Sequence, residues 1–162
     1  MSTLFSLSNP RTRRRAVGIR LAKGGVAQRA NVLLVDDDCN VRQSLQQVLT
    51  REEFGVVPAA NRREALLGFH ENPIDIVLLD IHLGEDSGWD TLREMRRTRP
   101  RLPVIVMSAY PDQAACCRAE NIEVFMEKPL DMSLLVEKLN ELTAHGPEHR
   151  ASRTDTAPRG RS

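Results

Sequence analysis

Polar residues come at the ends of four apolar runs in this sequence. Asp36 and Asp37 follow the first run, Asp80 the third and Ser108 the fourth, and Lys128 lies at the end of the fifth. If the runs are parallel strands, these ends share one edge of a sheet. Three carboxylates placed together repel one another and raise at least one pKa unless a cation joins them. The pattern therefore predicts a site for a hard divalent ion with oxygen ligands, for which we expect Mg²⁺.

The same pattern predicts phosphoryl chemistry at Asp80. The Lys128 ammonium is a point charge suited to a phosphoryl oxygen, and the Ser108 hydroxyl can donate a hydrogen bond to another. With a metal ion and an ammonium group to stabilise the transferred charge, Asp80 can act as a nucleophile and carry the phosphoryl group as an acyl phosphate. We therefore expect a site that catalyses its own modification.

Five short strands must hold these residues in place. The apolar runs alternate with five amphipathic segments of helical spacing, which predicts an α/β fold with a doubly wound parallel sheet and right-handed crossovers. Pro58 cannot donate to a ladder, so the second strand should lie at an edge, as in the order 2-1-3-4-5. That order places strands one and three side by side at the topological switch point, where the order of the strands reverses its direction. The predicted strands are 32–35, 56–59, 74–79, 102–107 and 122–126.

Helix boundaries can be predicted from capping residues. Asn40 is the expected N-cap of the first helix, and Asp38 is a second candidate for capping it. Asn61 with Glu64 should cap the second helix and Asp131 the fifth, whereas Asn121 can adopt the left-handed conformation that ends the fourth. The third helix should run from about residue 87 to 97, with a solvated Arg-rich outer face. In the weak fourth helix we expect inward-facing Ala114, Ala115 and Cys117, and burial of both Cys116 and Cys117.

The charge distribution separates a central domain from two terminal segments. Residues 1–30 contain seven basic and no acidic residues, and twelve basic against twenty acidic residues remain in 31–143. The acidic centre argues against nucleic-acid binding there. We expect disorder in 1–30 and 144–162, one domain at 31–143, and a solvated N-terminal extension rather than an arm for nucleic acid or anionic lipid. Three cysteines without a pairing pattern and no apolar run of membrane-spanning length favour a cytoplasmic protein.

Four segments together resemble the receiver domains of two-component response regulators. They read VLLVDDD, IVLLDIHLGEDSG, VIVMSA and FMEKPL, and they occur in the order and at the spacing that such domains show. The resemblance covers residues 31–143 and implies the flavodoxin-like receiver fold. It is specific because four individually weak motifs coincide.

The resemblance implies a role for each matching residue. Asp80 would be the phosphoacceptor, and Ser108 and Phe125 would reorient on phosphorylation. Lys128 would bind the phosphoryl group and precede a cis proline. The metal would be held by Asp36, Asp37, Asp80 and the backbone carbonyl of His82.

Three positions depart from the usual receiver pattern. Gly84 and Asp86 replace a common proline and methionine, which suggests a more mobile loop, and Phe125 lacks the hydroxyl of the more usual tyrosine. His82 and Tyr110 lie two residues after Asp80 and Ser108, where bulky side chains can shield an acyl phosphate. We therefore expect a long-lived phosphorylated form.

These features predict a stand-alone receiver in a phosphorelay, with neither a DNA-binding domain nor a membrane segment. Its partners would be a sensor histidine kinase or phosphotransfer protein and a downstream protein effector. The face formed by helix 4, strand 5 and helix 5 would serve for contact and is also a candidate homodimer surface. The alternatives are an interaction module that is never phosphorylated, and a Mg²⁺-dependent aspartyl-phosphate phosphohydrolase of the haloacid dehalogenase kind. The latter needs an aspartate where this chain has His82.

Overall fold

A computed structural model describes residues 29–144 of the chain. Of the two segments predicted to be disordered, all but 29–30 and 144 lie outside this range. We number the strands of the main sheet and the helices in chain order. The strands are Asn31–Val35 (β1), Gly55–Ala59 (β2), Ile76–Asp80 (β3), Val104–Ser108 (β4) and Val124–Glu127 (β5). The helices are Cys39–Arg51 (α1), Arg62–Glu71 (α2), Gly88–Thr98 (α3), Gln113–Ala119 (α4) and Met132–Ala144 (α5).

The five strands form a single parallel sheet in the order β2-β1-β3-β4-β5, as predicted. Exposed Pro58 lies opposite Leu34 in the edge strand β2, where its missing N–H costs no ladder bond. Val35 pairs with Leu79 across β1 and β3, so the residues that follow these two strands emerge next to each other. This adjacency creates the crevice that holds the candidate site.

Two apolar layers cover the sheet. Helices α2, α3 and α4 pack on one face, and α1 and α5 pack on the other. β3 is buried on both faces, which explains why its sequence is continuously apolar rather than alternating. No helix among residues 29–144 combines the length and apolar character that a bilayer crossing requires.

The capping predictions are confirmed at three helices, and at the first helix one of the two candidate residues is the cap. Asn61 accepts the Glu64 N–H at 2.9 Å, Asp131 accepts the Leu134 N–H at 3.0 Å, and Asn121 has a φ of 53° after α4. For α1 the N-cap is Asp38, not Asn40, because its carboxylate accepts the Asn40 N–H at 2.8 Å. A carboxylate two residues earlier can reach the free amides of the first turn, so the helix starts sooner than predicted.

Helix α4 departs furthest from its prediction. Cys117 is its one buried residue, whereas Ala115 and Cys116 are exposed. Burial raises the pKa of the Cys117 thiol to about 11, which leaves it protonated and unreactive at neutral pH. Adjacent side chains on a helix point about 100° apart, so with Cys117 facing the sheet the neighbouring Cys116 is directed towards solvent. Burial of two adjacent side chains on it was therefore a wrong prediction.

Polar contacts fix α4 against α3. Arg93 donates to the Glu120 carboxylate at 2.8 and 3.0 Å, and Arg96 donates to the backbone carbonyl of the same residue. At the other end of α4, the Trp89 indole N–H donates to Gln113 at 3.2 Å. The Arg-rich face of α3 is therefore not simply solvated, because two of its arginines bind the C-terminal end of α4.

Gly88 at the start of α3 lies against the backbone of β3, and this contact leads to a stability prediction. A Cβ atom at this position would be 2.5 Å from the Asp80 carbonyl oxygen and 2.7 Å from the Ile81 Cα. Gly88→Ala must therefore displace backbone, and we expect the free energy of unfolding in urea to fall by about 2 to 3 kcal/mol.

Gly68→Ala in α2 is the matched control for this prediction. Its Cβ would meet side chains of Val57 and Leu33, at 3.0 and 3.3 Å, and not backbone. The gain in helix propensity from glycine to alanine, about 1 kcal/mol, should largely offset this crowding. Equal losses of stability in the Gly88 and Gly68 variants would contradict the close approach at Gly88.

Candidate phosphoryl-transfer site

The three predicted carboxylates meet at the C-terminal edge of the sheet. Oxygen atoms of Asp36, Asp37 and Asp80 all lie within 4.8 Å of one another. Asp36 and Asp80 are 0% and 5% exposed, whereas Asp37 is open to solvent. The first two come from the ends of the adjacent strands β1 and β3, so the sheet order brings them together.

Lys128 lies between the two buried carboxylates. Its Nζ donates to Asp36 Oδ2 at 2.7 Å and to Asp80 Oδ2 at 2.5 Å. Burial acts to lower the pKa of Lys128, but hydrogen bonds and charge from Asp36 and Asp80 outweigh it, so this pKa is raised. The ammonium is therefore retained at neutral pH and compensates part of the acidic charge.

Backbone amides hold the other oxygens of these carboxylates. The Asp38 N–H donates to Asp36 Oδ1 at 2.9 Å, and the His82 N–H donates to Asp80 Oδ1 at 2.8 Å. Burial raises the pKa of Asp36, and the bonds from Lys128 and Asp38 oppose that rise without cancelling it. The buried carboxylates are thus oriented, but one of them carries an electrostatic cost that a cation could relieve.

The donor set fits a hard divalent cation. Three carboxylates from two strand ends supply only oxygen atoms, and exposed Asp37 leaves one side open to water and substrate. The loop that follows β3 passes the same group, since a Cβ on Gly84 would be 3.8 Å from an Asp37 oxygen. Mg²⁺, which keeps several waters and binds through few carboxylates, suits such an open site.

Ser108 ends β4, the neighbour of the strand that carries Asp80, and Phe125 lies on β5, the next strand of the sheet. Ser108 is fully buried, and its hydroxyl accepts the Tyr110 N–H at 3.0 Å. The backbone carbonyl of Ser108 accepts the backbone N–H of Lys128 at 2.8 Å. The half-buried Phe125 pairs with Val106 and packs against the α2–α4 layer. The Lys128–Pro129 peptide is cis, as the sequence resemblance implied.

Comparison with known proteins identifies the family. The sequence profile of the response regulator receiver domain matches residues 32–140. The chain belongs to the response regulator receiver family. The domain is therefore homologous to the receiver domains of response regulators, and the curated relatives that it matches are transcriptional regulatory proteins.

Curated relatives of this receiver domain are longer proteins. The transcriptional regulatory protein ZraR of Klebsiella oxytoca is 34% identical over 120 residues, covering 73% of this chain and 27% of the relative. The transcriptional regulatory protein GlrR of Escherichia coli K12 is 30% identical, covering 69% and 26%. The chain thus spans about a quarter of the length of these relatives, and each match lies in one part of a larger protein.

Solved structures share the receiver fold. A CheY-like receiver domain from Methanospirillum hungatei JF-1 has a TM-score of 0.67 at 25% identity, covering 75% of this chain and 97% of that one. The response regulator TrrA from Thermotoga maritima, solved in complex with Mg²⁺ and BeF, has a TM-score of 0.65 at 28% identity, covering 70% and 98%. The predicted fold class is therefore confirmed.

The loop after β3 is more regular in this receiver domain than its sequence suggested. His82–Leu83 and Asp86–Ser87 form a small antiparallel hairpin, with Gly84 at a φ of 64° between them. Asp86 accepts the Arg62 N–H at 3.2 Å, so the residue that departs from the family pattern binds the start of α2. The extra mobility of this loop stays a prediction.

Sequence reasoning missed two contributors to this receiver site, Gly88 and Arg42. Gly88 fell within the predicted third helix but was given no role in the site, although a glycine at the first turn of a helix after a functional strand is a signal for close backbone approach. Arg42 donates from α1 to the backbone carbonyl of Asp36 at 2.6 Å. No periodicity or motif points to this bond, because it joins a helix side chain to a main-chain atom six residues earlier.

Proposed function

We propose that Asp80 accepts a phosphoryl group from a histidine kinase or phosphotransfer protein in a Mg²⁺-dependent reaction, and that residues 31–143 form the functional unit. The observation that carries this proposal is the position of the Asp80 carboxylate, which shares its pocket with Asp36, Asp37 and the Lys128 ammonium. A nucleophile, a cation-binding pair and a fixed positive charge are the parts that phosphoryl transfer to a carboxylate requires.

The metal ion would be held by Asp36, Asp37, Asp80 and the backbone carbonyl of His82. When bound, Mg²⁺ supplies charge neutralisation at the phosphoryl oxygens. The other contributions come from the chain itself. An Asp80 oxygen forms the bond to phosphorus while the bond between phosphorus and the donor's imidazole nitrogen breaks. The Lys128 ammonium and the Ser108 hydroxyl donate hydrogen bonds to the transferred phosphoryl oxygens.

Output would pass through Ser108 and Phe125 to the face formed by α4, β5 and α5. Ser108 ends β4, and Phe125 lies on the neighbouring strand β5, which is part of that face. A change at the phosphoryl group would therefore have to pass only these two residues to reach the face. Phosphorylation would bias two existing conformations, and a downstream protein or a second copy of the chain would bind one of them preferentially.

The direct test uses purified protein, Mg²⁺ and the small donor acetyl phosphate, followed by intact mass. We expect one phosphoryl adduct per chain, its loss in EDTA, and its decay on incubation. Borohydride trapping and peptide mapping should locate it at Asp80. Mg²⁺ binding without any adduct, even at short times, would contradict the proposal, whereas rapid turnover of small phosphate esters would favour the phosphohydrolase alternative.

His82 and Tyr110 lead to a prediction about the lifetime of the adduct. The two residues lie two positions after Asp80 and Ser108, and their ring centroids are 4.6 Å apart, although Tyr110 is 55% exposed. Together they would cover the approach of water to an acyl phosphate on Asp80. His82→Ala combined with Tyr110→Ala should speed decay about tenfold, equivalent to about 1.4 kcal/mol in the barrier.

The decay is measured by intact mass after removal of the donor. His70→Ala serves as the control, because His70 is an exposed residue of α2 that contacts Phe69 away from the site. An unchanged or slower decay in the His82 and Tyr110 double variant would show that the ring pair does not shield the phosphoryl group.

A further inference from the structure

Arg42 fixes the peptide group that connects Asp36 to Asp37. It lies in the first half of α1, is half-buried, and its guanidinium turns back to donate to the Asp36 carbonyl oxygen at 2.6 Å. The amide of Asp36 is already bound, since it donates to the Ala59 carbonyl at 3.1 Å. The main chain of Asp36 is therefore held on both sides, by β2 and by Arg42.

The geometry of the peptide bond extends this constraint to Asp37. The carbonyl of Asp36 and the N–H and Cα of Asp37 lie in one plane, so fixing the carbonyl oxygen also fixes the Asp37 Cα. Unlike Asp36 and Asp80, Asp37 makes no hydrogen bond or ion pair through its side chain within residues 29–144, and it is exposed. Its carboxylate thus depends on the main chain alone for its direction.

We propose that Arg42 is a positioning residue that directs the Asp37 carboxylate to the divalent cation. This inference rests on the proposed function, in which Asp37 is a ligand of that cation. Groups that orient metal ligands typically change metal affinity by about 10- to 100-fold when they are removed. Arg42 does not contact the Asp37 carboxylate but binds the main chain of the preceding residue. This explains why the sequence pattern did not reveal its role.

The two possible roles of Arg42, as a positioning residue or as a positive charge, predict opposite changes in Mg²⁺ affinity when Arg42 is removed. If Arg42 acted only as a positive charge near the carboxylates, its removal would strengthen the binding of a dication. If it acts by positioning Asp37, its removal weakens binding. The direction of the change therefore distinguishes the two roles.

The test measures the Mg²⁺ dissociation constant by isothermal titration calorimetry. We expect about tenfold weaker binding in Arg42→Ala and in Arg42→Gln, whose shorter side chain cannot reach the Asp36 carbonyl, and partial recovery in Arg42→Lys, which keeps a donor at the end of a long side chain. Arg51→Ala, in the exposed last turn of the same helix, should bind like the wild type. Thermal unfolding establishes that each variant is folded, and Arg42→Gln replaces the alanine variant if that variant does not fold.

A double-mutant cycle with Asp37→Asn tests the route through Asp37. In that background Arg42→Ala should cause no further loss of affinity, because the ligand it directs is already absent. Unchanged or tighter Mg²⁺ binding in Arg42→Ala, or fully additive losses in the double variant, would overturn the inference. Failure of the wild type to bind Mg²⁺ would instead overturn the proposed metal site, so the two failures can be told apart.

Discussion

Asp80→Asn should abolish the phosphoryl adduct while leaving the fold intact. Asparagine has the same shape as aspartate, and its carbonyl oxygen can still accept the His82 N–H that Asp80 Oδ1 accepts at 2.8 Å. An amide is not a nucleophile for phosphorus at neutral pH, so no acyl phosphate can form at this position. We expect no adduct by intact mass after incubation with acetyl phosphate and Mg²⁺, against a clear adduct in the wild type.

Asp75→Asn is the matched control for this substitution. Asp75 directly precedes β3 at the opposite edge of the sheet, where its exposed carboxylate accepts the Asn31 N–H at 2.8 Å. The control removes the same charge from the chain but leaves the acidic cluster unchanged, so its adduct should match that of the wild type. An adduct of wild-type yield in Asp80→Asn would mean that another carboxylate, such as Asp37, is the acceptor.

The sheet and its acidic cluster could be predicted because both follow from strand ends. Apolar runs that stop abruptly at Asp36 and Asp80 mark strands buried on both faces, and Pro58 restricts β2 to an edge. In a parallel sheet these facts leave little freedom for the order of strands or for which polar residues meet. Lys128 could be placed in the same way, since it closes the fifth apolar run.

Contacts that depend on tertiary packing could not be predicted in the same way. The close approach of Gly88 to the Asp80 carbonyl depends on how α3 lies against β3, and the bond from Arg42 to the Asp36 carbonyl depends on a rotamer. α4 shows a third limit. With a single buried residue, its position is fixed by bonds from Trp89 and Arg93 on α3, and no local pattern contains that information.

Lys128 combines a structural and a functional role in one ammonium group. Its Nζ compensates the two buried carboxylates of Asp36 and Asp80, and the same atom is proposed to bind the phosphoryl group. Removing one partner of a buried ion pair leaves the other charge buried and unpaired. A substitution of Lys128 therefore affects stability and chemistry together. The two effects can be separated by measuring them with and without Mg²⁺.

Lys128→Met should slow adduct formation at least about 100-fold, the usual loss when a charge that stabilises a transition state is removed. Without Mg²⁺ it should also lower the free energy of unfolding at neutral pH by about 3 kcal/mol, because Asp36 and Asp80 lose their shared counter-charge. Mg²⁺ binding should become tighter, since the cation no longer competes with Nζ for the carboxylates. The measurements are adduct formation with acetyl phosphate, urea unfolding in EDTA, and calorimetric titration with Mg²⁺.

The pH dependence of this variant follows from the same reasoning. Without Nζ, burial and mutual repulsion raise the pKa of one carboxyl group further in the folded state than in the unfolded state. The loss of stability should therefore be largest at neutral pH and shrink as the pH falls through that raised pKa, because protonation removes one of the two charges. Lys138→Met is the control, since Lys138 pairs with Glu141 at 2.8 Å on the surface of α5, where solvent screens an ion pair and its contribution to stability is small. Equal stability losses in both variants, or weaker Mg²⁺ binding in Lys128→Met, would show that Lys128 does not compensate the buried carboxylates.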